Sequence, residues 1–67
     1  MLTYELSREN TLPLYQQLYL AIKNDIEKGI LPKNQQLPSK RKLALHLNIS
    51  LITVVYAYEQ LMLEGYI

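Results

Sequence analysis

Only three residues, Asn48-Ile49-Ser50, separate two stretches of this chain whose apolar residues recur at helical spacing. Before them, Leu43, Ala44 and Leu47 fall on one side of a short helix from Lys40 to Leu47. After them, Val54, Ala57, Tyr58, Leu61 and Met62 fall on one side of a longer helix. So short a link cannot lay two helices side by side; it sets them at a steep angle, and the second projects from the body of the domain. Asn48 and Ile49 are suited to end the first helix, because Asn tolerates left-handed backbone better than most residues. Ser50 is placed to cap the second with its hydroxyl.

The remainder must supply what this pair packs against. Sixty-seven residues make one small domain, which needs a dense apolar core or a partner. The sequence is 49% hydrophobic and includes six Tyr. With no cysteine, disulfide staples and thiolate metal sites are excluded. Leu2, Tyr4 and Leu6 alternate with Thr3 and Glu5, the period of a short half-buried strand, and residues 7–11 read as a polar connector. Pro13 suits the first turn of a helix whose stripe is Tyr15, Leu18, Tyr19, Ile22 and Ile26, about four turns long. Gly29 can end it in left-handed geometry, with Ile30 folding back over the end. A loop punctuated by Pro32 and Pro38 follows, with Asn34 as a turn residue and Ser39 as the cap of the short helix. Gly65 stops the last helix, and Tyr66-Ile67 read as the opening of a strand. The expected fold is all-α, a three-helix core with short terminal strands.

Net charge is only +1, but its distribution is uneven. No acidic residue lies between Glu27 and Glu59, an interval that holds Lys28, Lys33, Lys40, Arg41 and Lys42. A neutral average therefore conceals a basic middle, either a solvated loop or one positive face. Three cations crowd the positive end of the short helix's dipole, an unfavourable arrangement that a bound phosphate would relieve. The projecting helix starts with Ser50 and Thr53, whose hydroxyls, with free N–H groups beside them, suit a phosphate. In this geometry the preceding helix crosses a nucleic-acid backbone. Catalysis has no support: there is no Cys nucleophile, and no acid is placed to orient the sole histidine, His46. His46 also lacks partners at metal-ligand spacing. No apolar run approaches the ~18 residues of a membrane span and no signal peptide is evident, so the protein reads as soluble and cytoplasmic.

The stretch from Pro13 to Ile67 resembles the N-terminal winged-helix domain of the GntR family of transcription regulators. The resemblance is carried by Pro13-Leu14-Tyr15-Gln16-Gln17, Gly29-Ile30-Leu31-Pro32 and Leu37-Pro38-Ser39-Lys40-Arg41-Lys42-Leu43-Ala44. It continues through Asn48-Ile49-Ser50, Thr53-Val54, Tyr58-Glu59-Gln60-Leu61 and Glu64-Gly65-Tyr66-Ile67. The run Ala57 to Leu61 is most similar to the MocR-type branch, whose members join this domain to an aminotransferase-like, pyridoxal-phosphate-binding one; nothing of that second domain lies within these residues. The resemblance implies a single winged helix-turn-helix domain over residues 1–67 with its wing hairpin absent or truncated. It implies double-stranded DNA as partner, no cofactor or metal for the domain itself, and a homodimer formed through regions outside this chain.

Carried over by position, the resemblance places Arg41 on DNA, flanked by Lys40 and Lys42 on the backbone, with Ser39, Ser50 and Thr53 at phosphate-contacting and capping positions. Two departures matter. Leu51 stands where the family usually has Arg, and Val55 where it often does; Asn34 replaces a usual Gly. The face expected to meet base edges is then Leu51, Ile52, Val55 and Tyr56, which can touch thymine methyls but cannot hydrogen-bond guanine bidentately. Modest affinity and T-rich half-sites are expected. The rival reading is a protein-interaction or dimerisation module on the same scaffold, with Leu51, Ile52 and Val55 as an apolar docking patch. Tyr15, Tyr19 and Tyr58 share stripes with Leu and Ile and are expected in the core, whereas Tyr56 lies off the stripe.

Overall fold

The computed structural model describes residues 2–32 and 36–67, and within them the chain forms three α-helices and no strand. These are α1 (Leu14–Glu27), α2 (Lys40–Leu47) and α3 (Leu51–Leu63). The expectations for Lys33 and Asn34 fall outside the described residues.

All three helices stop by the same device. The residue after each last turn is left-handed: Gly29 at φ 77°, Asn48 at φ 57° and Gly65 at φ 81°. At each end two N–H groups turn back onto orphan carbonyls, as in the pair Gly29 N–H to Ile26 O and Ile30 N–H to Asp25 O. The same pair recurs as Asn48 to Leu45 with Ile49 to Ala44, and as Gly65 to Met62 with Tyr66 to Leu61. Capping is likewise as expected for α2 and α3, where Ser39 accepts from the Lys42 N–H and Ser50 from the Thr53 N–H. Pro13 sits one residue earlier than expected. It is the cap residue of α1 rather than part of its first turn, and its carbonyl accepts from Gln16 and Gln17.

The core is Leu18, Tyr19 and Ile22 of α1, Leu43 and Ala44 of α2, and Val54, Ala57, Tyr58 and Leu61 of α3, with Leu31 from the loop after α1. Each helix of the outer pair packs on α3, and the backbones of α1 and α2 do not approach one another. The last helix is therefore the hub of the fold. It projects only in the sense that its opposite face stays open.

Other expectations need correction. Leu2, Tyr4 and Leu6 pack on the core with Thr3 and Glu5 outward, as the alternation requires, yet they pair with no strand and form no ladder. Tyr66 and Ile67 likewise pack as irregular chain. Ile30 is 65% exposed, and it is Leu31 that folds over the end of α1, because the left-handed Gly29 turns the chain one residue further round. Tyr15 is 37% exposed and Met62 50% exposed. Tyr15 lies on the stripe but in the first turn, where its neighbour is an exposed ring rather than the core, and Met62 lies at the edge of the buried arc of α3.

The N-terminal arm is held by polar contacts instead of a ladder. Gln17 accepts from the Ser7 N–H at 2.9 Å and donates to the carbonyls of Ser7 and Leu12. Tyr4 donates to Asp25 at 2.8 Å, and burial followed by that carboxylate pushes its hydroxyl far above the ordinary range. Thr3 meets His46 at 2.9 Å. Across the core, Tyr58 donates to the Pro38 carbonyl at 2.9 Å and so anchors the loop that delivers Ser39 to α2. At the far end, Tyr19 donates to Glu64, Lys23 lies over the Tyr19 and Tyr66 rings, and Tyr66 donates to Glu27. Glu64 is drawn below the usual carboxylate range by the Tyr19 hydroxyl and then by Gln60.

Two measurements check this account. A Cβ added at Gly29 or Gly65 meets nothing within 4 Å, so the cost of Gly→Ala there is the left-handed backbone alone. Each substitution should lower urea-unfolding stability by about 1–2 kcal/mol; no loss at either site would contradict the helix stops. Burial pushes the Tyr58 hydroxyl up to about 12. Its neutral form is thus favoured by folding, and that stability is intact below the ordinary tyrosine range and lost as pH rises through the folded value. Unfolding free energy should fall from roughly pH 10 to 12. Tyr58→Phe should make that fall shallower, leaving the part due to Tyr4, and cost about 1 kcal/mol at neutral pH by leaving the Pro38 carbonyl unpaired.

Candidate nucleic-acid interface

The buried arc of α3 fixes which of its residues can face outward. Val54, Ala57, Tyr58 and Leu61 point inward, so at 100° per residue Ile52, Tyr56, Glu59 and Leu63 form the opposite stripe. Ile52, Tyr56, Glu59 and Leu63 are all exposed. Leu51 and Val55 are half-buried on one flank of that stripe, and Thr53 is half-buried on the other. The four residues expected to form one reading face are therefore divided. Leu51 borders α2, Ile52 points outward, and Tyr56 leans to α1, where its ring meets Tyr15 edge-on at 5.9 Å.

On α2, Lys40, Arg41 and Lys42 occupy the first turn and are all exposed. Successive residues fan around a helix, so these cations do not stack on one side. Arg41 shares its face with Leu45 four residues on, and Lys42 shares its face with His46. Arg41 and Leu51 meet at a single cleft of about 210 Å³, completed by Ala44, Leu45 and Ile49. The start of α2 and the start of α3 are thus joined by a shared wall, while Lys40 and Lys42 lie to either side of it.

The hydroxyls at the helix starts are partly occupied. Ser39 is engaged by the Lys42 N–H at 3.1 Å. Ser50 accepts from the Thr53 N–H at 3.2 Å and its oxygen lies 2.7 Å from the Thr53 hydroxyl. One hydrogen serves that hydroxyl pair, which leaves the other free to donate outward. Helix geometry also leaves the Leu51 and Ile52 N–H groups without an acceptor inside α3. Neither α2 nor α3 has an acidic residue in its first turn. The two helix starts offer cations, helix dipoles and spare donors, which is chemistry for an anion.

Sequence reading missed three participants. Leu45 is 82% exposed beside Arg41, and only its position four residues later marks it. Glu59 places a negative charge on the outward stripe two turns into α3, which disfavours an anion beyond the first turns. Arg8, assigned to a connector, reaches the Asn48 carbonyl at 3.5 Å in the turn between α2 and α3. Among the described residues no cluster of His, Cys, Asp or Glu could hold a metal, and no helix is long and apolar enough to cross a membrane.

Comparison with known proteins gives a consistent picture. The family described as bacterial regulatory proteins, gntR family, matches residues 14–67. The chain is 53% identical over 62 residues to the uncharacterized HTH-type transcriptional regulator YdeL of Bacillus subtilis (strain 168), covering 92% of the chain and 13% of that protein. It is 36% identical over 63 residues to the HTH-type transcriptional repressor STM4068 of Salmonella typhimurium, covering 94% of the chain and 26% of that protein. It is also 36% identical over 62 residues to the probable rhizopine catabolism regulatory protein MocR of Rhizobium meliloti, again 92% of the chain and 13% of that protein. The chain thus spans only a small part of the length of these relatives. It belongs to the gntR family of bacterial regulatory proteins, within which its three helices are the helix-turn-helix DNA-binding unit of a regulator and not a catalytic domain.

Proposed function

We propose that this domain binds double-stranded DNA sequence-selectively, with the first turns of α3 in the major groove and the start of α2 on the adjacent backbone. The observation that carries this reading is the cleft on which Arg41 and Leu51 converge, bordered by the two serine-capped helix starts. Groove width admits one helix, and the N-terminal turns of the second helix of such a pair are the part that reaches base edges.

The physical chemistry of each residue supports its role. Lys40, Arg41 and Lys42 oppose the dipole of α2 in the free domain, and phosphate oxygens at that end convert the conflict into attraction. Ser39, Ser50 and Thr53 orient the backbone N–H groups and supply the spare hydroxyl hydrogen. Ile52, with Leu51 and Val55 on its flank, is the base-facing surface, and Tyr56 is steadied at its margin by Tyr15. That surface is apolar, so hydrogen-bonded readout is limited and affinity per domain is modest. A homodimer, formed through regions outside these residues, would double the contact.

A second reading rests on the exposed apolar side chains Leu45, Ile52, Met62 and Leu63, which suit a protein partner. The cations at the helix starts favour DNA over it.

Fluorescence anisotropy against salt concentration, using a duplex selected by this chain from a randomised pool, tests the proposal. The logarithm of affinity should fall with the logarithm of salt concentration by about 0.9 for each phosphate neutralised. Arg41→Ala should weaken binding by about 1–3 kcal/mol if the guanidinium reaches a base, and should lower the salt slope by about 1 if it reaches only phosphate. A flat salt response, or tight self-association with no DNA bound, would contradict the reading.

A further inference from the structure

Leu45 contributes nothing to the core. It is 82% exposed, yet it does not stand alone on the surface. One helical turn after Arg41, it forms a wall of the cleft that Leu51 and Ile49 close from the other side and that the small side chain of Ala44 floors. The cavity, about 210 Å³, is walled mainly by aliphatic groups with one guanidinium at its lip. No acidic residue lines it, and none occurs in the sequence between Glu27 and Glu59. Leu63 makes a useful contrast: it is equally exposed, but it ends α3 beside Met62, with no cation adjoining it in sequence.

An occupant must therefore offer a small apolar projection within an anionic setting. The major-groove edge of duplex DNA does so at thymine, whose 5-methyl group stands next to the acceptors of neighbouring bases and within reach of phosphate. We propose that the α2–α3 cleft is a socket for a thymine methyl, with Leu45 and Leu51 as its walls and Arg41 binding the adjacent phosphate or guanine. This rests on the DNA-binding reading above and extends it to the base recognised. It moves part of the readout from α3 to α2. It also accounts for an aliphatic residue at position 51: an arginine there would fill the socket and bring a charge into it.

Replacing each thymine of a selected duplex by uracil removes the methyl and nothing else. At one position in a half-site the swap should weaken binding about fourfold, the factor expected for one buried methyl. Leu45→Ala should weaken binding to the thymine duplex by a similar factor and abolish the sensitivity at that position, while Leu63→Ala should change neither. Such loss of sensitivity is the coupling expected of groups in contact. Because Leu45 is exposed, its truncation should leave the melting temperature unchanged, which a thermal scan verifies.

Silent uracil swaps throughout, or a Leu45→Ala chain that keeps full sensitivity, would overturn the socket while leaving DNA binding intact. If Leu45→Ala changed only self-association, measured by sedimentation, the face would be a protein interface and the socket would again be overturned. Failure to retain any duplex would defeat the DNA-binding reading itself, and the socket with it.

Discussion

The fold depends on one helix being shared. Val54, Ala57, Tyr58 and Leu61 of α3 are the surface on which both other helices pack, and α1 and α2 have no backbone contact of their own. Full burial of a large aliphatic or aromatic side chain is worth about 1.5–3 kcal/mol, so this arc is the main source of stability in a chain with few alternatives. It also sets the direction of everything on the outer side of α3. Once the inner arc is seated, Ile52, Tyr56 and Glu59 must face outward, and Leu51 must lie against α2.

The corner between α2 and α3 couples that packing to the surface. Asn48 takes the left-handed conformation without a glycine's freedom, and its cost is offset by the two N–H groups that turn back onto α2 and by Ile49 packing on the core. Tyr58 reaches from α3 to the Pro38 carbonyl and fixes the other end of α2. The short helix is thereby held at both ends by the long one. Its first-turn cations are held in place with it, and they stand against the helix dipole. A local conflict of this kind, set on a well-packed scaffold, is where sequence and function part from stability.

Much of this was legible in the sequence because it depends on local chemistry. The serine caps, the left-handed Gly29, Asn48 and Gly65, and the helical stripes follow from residue type and spacing, and the structure has them where expected. What failed to show were features decided by distant neighbours. The alternation of Leu2, Tyr4 and Leu6 gave the correct inward face but could not reveal that no strand lies beside it, nor that Gln17 would hold the arm. Tyr15 and Met62 lie on or near apolar stripes, yet no partner covers them at those levels of the bundle. The cluster Lys40-Arg41-Lys42 reads as one patch in sequence, whereas helix geometry spreads it and leaves Arg41 alone on the cleft with Leu45 and Leu51.

The central claim is that the capped starts of α2 and α3, and no other surface, meet the nucleic acid. Amide chemical-shift mapping during titration with a selected duplex addresses it most directly. The account predicts that the largest shifts fall on residues 39–42, 45 and 50–56, with α1 beyond Tyr15 and the end of α3 little changed. Shifts concentrated on the outer face of α1, around Leu20 and Asn24, or on Met62 and Leu63, would contradict it.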